Sequence, residues 1–96
     1  MKKEFSQMGF YVIETEEQTD VGTITSIICN DINETVKSNF GKMEVIVYDD
    51  RTNKELLRGI GKTIEKGLEK YYVTEAWIEN ECMWPIELYV REKNVH

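Results

Sequence analysis

The stretch "LLRGIGKTIEKG", residues 56–67, decides how the rest of the chain is arranged. Its Gly61-Lys62-Thr63 matches the end of a phosphate-binding loop, G-x-x-x-x-G-K-[ST], in which a first glycine turns the chain out of a strand. That glycine would fall at position 56, which is Leu56, and helix-start signals separate the stretch from the strand upstream. P-loop domains also need several parallel βαβ units, more than 96 residues of this pattern supply. The nucleotide-loop reading fails on spacing and on context.

The alternative for this stretch is an amphipathic helix. At 100° per residue Leu56, Leu57, Ile60, Ile64 and Leu68 share one arc, with Lys54, Arg58, Lys62, Lys66 and Lys70 on the opposite side. Thr52 and Glu55 have capping-box spacing. These features predict a principal helix over about 53–71. Gly59, Gly61 and Gly67 oppose it by about 3 kcal/mol together. Close packing accounts for Gly61 and Gly67. Gly59 implies a break, after which Lys62 and Thr63 would lie in a first helical turn able to hold an anion. The packing explanation is favoured.

Outward from this stretch the remaining segments alternate. Residues 9–15, 42–50, 71–79 and 84–92 read as strands, the last two forming a hairpin across "NECM". Pro85 near the start of the last strand suggests an edge. Residues 21–29 are ambiguous: their Thr and Ile content favours a strand, while Ile24, Ile28, Ile32, Val36 and Phe40 recur at helical spacing. The reading adopted is a strand through about Cys29 and then a second, short helix over about 31–40, with Asp31 as N-cap, Glu34 completing its capping box and Gly41 as terminator. The expected fold is α+β, an antiparallel sheet of four to five strands with the principal helix on one face, in a single small globular domain spanning 1–96.

Alternation then assigns the faces. Phe10, Val12, Met43, Val45, Val47, Ala76, Ile78, Ile86, Leu88 and Val90 should face the helix. The opposite face should carry Tyr11, Ile13, Ile46, Tyr48, Trp77 and Tyr89 among Glu44, Glu75, Glu79 and Glu87. A contiguous patch of large aromatic and aliphatic groups marks an interface, and Trp and Tyr dominate binding hot spots. The candidate partner-binding residues are therefore Tyr11, Glu44, Ile46, Tyr48, Glu75, Trp77, Glu79, Glu87 and Tyr89. The opposing explanation is that another segment covers this face and makes it a second core.

Charge narrows the partner. The net charge is −6 and the sequence pI near 4.8, although residues 51–70 alone carry +3. An acidic chain argues against direct nucleic-acid binding, which rests on phosphate neutralisation. Either a basic protein, such as a nucleic-acid-binding one, or a second copy in a homo-oligomer is the expected partner. In general character the chain resembles the small acidic inhibitors and regulators of phages and mobile elements, which present carboxylates where phosphates would sit. The alternative function is an oligomeric binder of a small anionic ligand such as a nucleotide, through Arg58, Gly59, Gly61, Lys62, Thr63, Lys66 and Lys70.

Catalysis has little support. The single histidine is His96, so no histidine-based acid–base pair, triad or zinc site is expected. Cys29 and Cys82 lack metal-ligand spacing and read as reduced, buried thiols, and an enzyme using a carboxylate or a thiol ranks last. Asp49-Asp50 is explained by turn and capping duties. No cofactor or metal is expected. Residues 1–10 carry two lysines without a following apolar run, and no segment approaches the ~20 apolar residues that span a bilayer. The expected address is cytoplasmic.

Overall fold

The computed structural model describes residues 1–5 and 8–93; His96 lies outside them. In chain order the elements are β1 (Lys2–Phe5), β2 (Phe10–Asp20), α1 (Val21–Ile27), α2 (Glu34–Asn39), β3 (Glu44–Asp49), β4 (Glu55–Ile60), β5 (Tyr71–Glu79) and β6 (Ile86–Glu92). A π-helical turn, Ile28–Ile32, extends α1; a 3-10 turn, Phe40–Lys42, extends α2; another, Ile64–Gly67, lies between β4 and β5. The strands form one sheet in the order β1-β2-β5-β6-β3-β4, with β3–β6 its parallel pair and the other neighbours antiparallel. The α+β class is as expected.

The principal helix over 53–71 is not formed. Residues 55–60 are the edge strand β4, paired with β3. The turn before it is chemically specified. Asp49 Oδ1 accepts the Arg51 N–H at 2.8 Å, the Asp49 carbonyl accepts the Asn53 N–H at 2.8 Å, and Asn53 takes the left-handed φ of 59° that asparagine tolerates. Thr52 accepts the Lys54 N–H at 3.3 Å and closes this turn instead of capping a helix. The i, i+4 spacing of leucines and isoleucines also suits a strand followed by a tight 3-10 turn. In that form Gly59 and Gly61 cost no helix propensity.

The helical layer lies instead over 21–42, and 21–29 is not a strand. Asp20 caps α1, its Oδ1 accepting the Thr23 N–H at 2.8 Å. Asn33, not Asp31, caps α2 and accepts the Val36 N–H at 2.8 Å. Gly41 falls within the 3-10 turn that follows α2. The four-residue periodicity that left 21–29 ambiguous is the one that prevails: Ile24, Ile28, Val36 and Phe40 are buried in a single core cluster with Val45, Val47, Val73, Ala76, Ile78, Leu88 and Val90. Tertiary packing of this face outweighs the strand preference of its β-branched residues. Pro85 precedes β6 rather than lying within it, so it marks no edge; β6 sits inside the sheet between β5 and β3.

Two glycines are required for close approach. A Cβ on Gly61 would lie 2.2 Å from the Phe40 carbonyl oxygen, and one on Gly67 would lie 2.8 Å from Leu57 Cδ2. Gly61 also donates its N–H to the Met43 carbonyl at 2.9 Å, fastening the end of β4 to the chain that enters β3. The glycines of the opening stretch serve packing, though of a strand end on Phe40 and not of a helix on a sheet. We predict that Gly61→Ala destabilises the fold by about 3 kcal/mol, because backbone must move to relieve the clash. Gly22→Ala should stabilise it by roughly 0.5–1 kcal/mol, since an added Cβ there meets nothing closer than 3.6 Å within α1. Urea denaturation of the two variants beside the parent chain checks both signs.

Candidate functional site

Strand register assigns each side chain to a face. Trp77 is opposite Val12 on one side and Glu87 on the other, Glu87 is opposite Ile46, and Tyr89 lies between Glu75 and Tyr48. Neighbours on these strands alternate with the core residues Ala76, Ile78, Leu88, Val45 and Val47, so this set lies on the face away from the helices. Eight of the nine expected partner-binding residues come together there: Glu44, Ile46, Tyr48, Glu75, Trp77, Glu79, Glu87 and Tyr89. No helix of the described residues packs over them.

Tyr11 does not join them. It packs against the core on the helix side, its ring edge-on to Phe5 with centroids 4.9 Å apart. Ile13, also expected on the open face, is fully buried beside the helices, while Phe10 and Val12, expected to face the helix, lie on the open face. Alternation cannot orient this strand because Phe10, Tyr11, Val12 and Ile13 are apolar on both sides, and a one-residue slip reverses every side chain.

The open face is organised by aromatic contacts. Phe10 meets Trp77 edge-on at 5.7 Å, and Tyr48 stacks on Tyr89 at 5.3 Å with 23° between the planes. Trp84, which sequence reading left out, stands at one end on the loop between β5 and β6 and is 64% exposed. The signal available for it was its place beside Pro85 in a hairpin loop, where a large aromatic has no core to enter. Phe10, Ile46, Tyr48, Trp84, Pro85 and Glu87 line a groove of about 500 Å³.

Charge on this face is unevenly satisfied. Arg58 on β4 reaches both Glu44 and Glu55 at 2.6 Å, and Arg91 holds Asp50 at 2.6 Å. Among the described residues Glu75 and Glu87 make no ion pair, and Glu79 accepts only the Met83 N–H, at 2.8 Å. Burial first, and the adjacent Glu87 second, raise the Tyr48 phenol above its ordinary value; burial, Glu87 and Glu75 do the same for Tyr89.

The helical row expected to form the alternative anion site is not formed. Without a helix over 53–71 its cations no longer form a row: Arg58 is engaged by two carboxylates on the open face, Lys62 and Thr63 sit in the turn after β4, Lys66 is in a 3-10 turn and Lys70 precedes β5. Gly59 is a strand residue opposite Val45, and Gly61 is buried against Phe40. Thr63 and the three lysines are exposed.

Neither thiol is activated. Burial and the negative charge of Glu65 push Cys29 up, and burial with Glu79 pushes Cys82 up; both are free and half-buried. No three metal-ligating side chains cluster among the described residues, and no helix among them is long and apolar enough to cross a membrane. Comparison of the chain with protein families, curated proteins and solved structures returns no match.

Tyr48 and Tyr89 should titrate above the ordinary 10.0, with Glu87→Gln lowering Tyr48 but not restoring it fully, because burial is the larger cause. The folded chain holds these protons at a pH where the unfolded chain has lost them. Their contribution to stability is whole below about pH 10 and is lost as pH rises through the folded pKa values. Ultraviolet absorbance at the phenolate band, followed alongside alkaline unfolding, reads both effects.

Proposed function

We propose that this chain is a non-enzymatic interaction protein, a regulator or inhibitor that docks a protein partner through the open sheet face. The observation that carries the reading is the contrast between the two faces. One is sealed by α1, α2 and the turn after β4, while the other presents Phe10, Trp77, Tyr48 and Tyr89 half-exposed in two ordered ring pairs. Large aromatics held in fixed rotamers lose little entropy on binding and supply hot-spot area. Unpaired glutamates beside them favour a basic partner, of the kind that itself binds nucleic acid. A cytoplasmic address is part of this reading. The raised thiols of Cys29 and Cys82 make poor nucleophiles, which supports a role without catalysis.

Trp77→Ala and Tyr48→Ala should each weaken retention of the partner by on the order of 30-fold, the loss of a ~2 kcal/mol hot spot. The measurement is affinity capture with immobilised parent and variant chains, paired with sedimentation velocity across micromolar concentrations. Retention that is the same in parent and both variants sinks the docking reading. A parent dimer that becomes monomeric in the variants replaces the foreign partner with a second copy of this chain.

A further inference from the structure

The groove at the end of the open face has a composition of its own. Three rings from three different parts of the chain converge on it: Phe10 from β2, Tyr48 from β3 and Trp84 from the loop before β6. Ile46 and Pro85 complete an otherwise apolar wall, and the one charged group in the lining is the carboxylate of Glu87. Glu87 is half-buried, flanked by Ile46 and Trp77 in the neighbouring strands, and makes no ion pair among the described residues. The groove's polar neighbour is the Tyr48 phenol, a neutral hydrogen-bond partner of Glu87 whose proton is favoured by burial and by that carboxylate. The arginines of this face are already engaged, Arg58 by Glu44 and Glu55 and Arg91 by Asp50.

A carboxylate partly withdrawn from water among ring faces, with a neutral phenol as its hydrogen-bond partner, still has no counter-ion among the described residues. Aromatic faces repel anions and attract cations, and they attract most those that shed water easily. A guanidinium meets both demands, because it stacks flat on a ring while its planar fork donates two hydrogen bonds to one carboxylate. A lysine ammonium is more strongly hydrated and lacks the planar fork. A volume of about 500 Å³ is within the range of side-chain and small-ligand sites.

We propose that this groove is an arginine-binding site, in which the guanidinium of a basic segment on the protein partner stacks between Trp84, Tyr48 and Phe10 and pairs with Glu87. The proposal rests on the docking reading above and adds the residue type that the partner must present. Trp84 is the outer wall of the groove and the most exposed of its three rings.

The test uses the intact chain and three capped pentapeptides, Gly-Arg-Gly-Arg-Gly and its lysine and citrulline counterparts, with binding followed by calorimetry at low salt. The arginine peptide should bind about tenfold more tightly than the lysine peptide, and the citrulline peptide, isosteric but neutral, should bind at least as weakly as the lysine one. Glu87→Gln and Trp84→Leu should each cost about tenfold. Glu16→Gln, which removes the same charge from the exposed, irregular stretch of β2 between Glu14 and Thr19, should leave affinity unchanged. Folding of each variant is read from its circular dichroism. Citrulline binding equal to arginine, or arginine binding indifferent to both Glu87→Gln and Trp84→Leu, overturns the site. If either result accompanies partner capture that still depends on Trp77, the docking reading survives and only the arginine site falls. If partner capture is also indifferent to Trp77→Ala, both fall.

Discussion

Two parallel strands in one sheet cannot be joined by a tight turn, and that constraint organises this molecule. β2 and β3 run the same way with two strand positions between them, as do β4 and β5. Each pair therefore needs a crossover, one through α1 and α2 and the other through the turn at Ile64–Gly67. Such crossovers take one hand in nearly all proteins. Here they step across the sheet in opposite senses along oppositely directed strands, so a common hand puts both on the same face. Ile24, Ile28, Ile64 and Leu68 duly share one core cluster. Both connections are used on that side, and among the described residues no helix covers the other side of the sheet.

The two crossovers are also tied to each other. The Thr25 hydroxyl on α1 donates to the Glu65 carboxylate in the turn after β4, and Gly61 lies against Phe40 at the end of α2. The helical layer is thus a braced lid, and substitutions there act on stability. The open face has the reverse economy: its rings are ordered by one another, as in the Tyr48–Tyr89 stack, and changing one alters a surface more than a core.

Much of this was legible because period-two alternation is unambiguous where one face is polar. In β3, β5 and β6 the glutamates at 44, 75, 79 and 87 fix the orientation of their neighbours, and these strands were read on the correct faces. β2 has no such marker between Phe10 and Ile13, so its faces were reversed. The stretch 53–71 failed for a different reason. Its apolar spacing suits two structures, and what separates them is the Asn53 turn and the close approach of Gly61 to Phe40, the second of which exists only in three dimensions. β1 is not legible in the sequence because Lys2–Phe5 is exposed throughout and carries no burial pattern. Trp84 has a local signal in its place beside Pro85, but the groove it lines is completed by Phe10 of β2 and by Ile46 and Tyr48 of β3, remote in sequence.

The position of β6 has a kinetic side. The last strand in the described chain occupies an interior place in the sheet, pairing Ile86–Val90 with Val45–Asp49 and also with β5. The β3–β4 and β5–β6 hairpins join near neighbours and can form early, but they become one sheet only when β6 lies down beside β3 across the intervening forty-odd residues. Until then the β3–β4 hairpin and the β2–β5 pair are separate pieces, each with an unsatisfied edge. Closure of the sheet consequently rests on β6, and a chain in which that strand is displaced exposes two unpaired strand edges, the form most open to association.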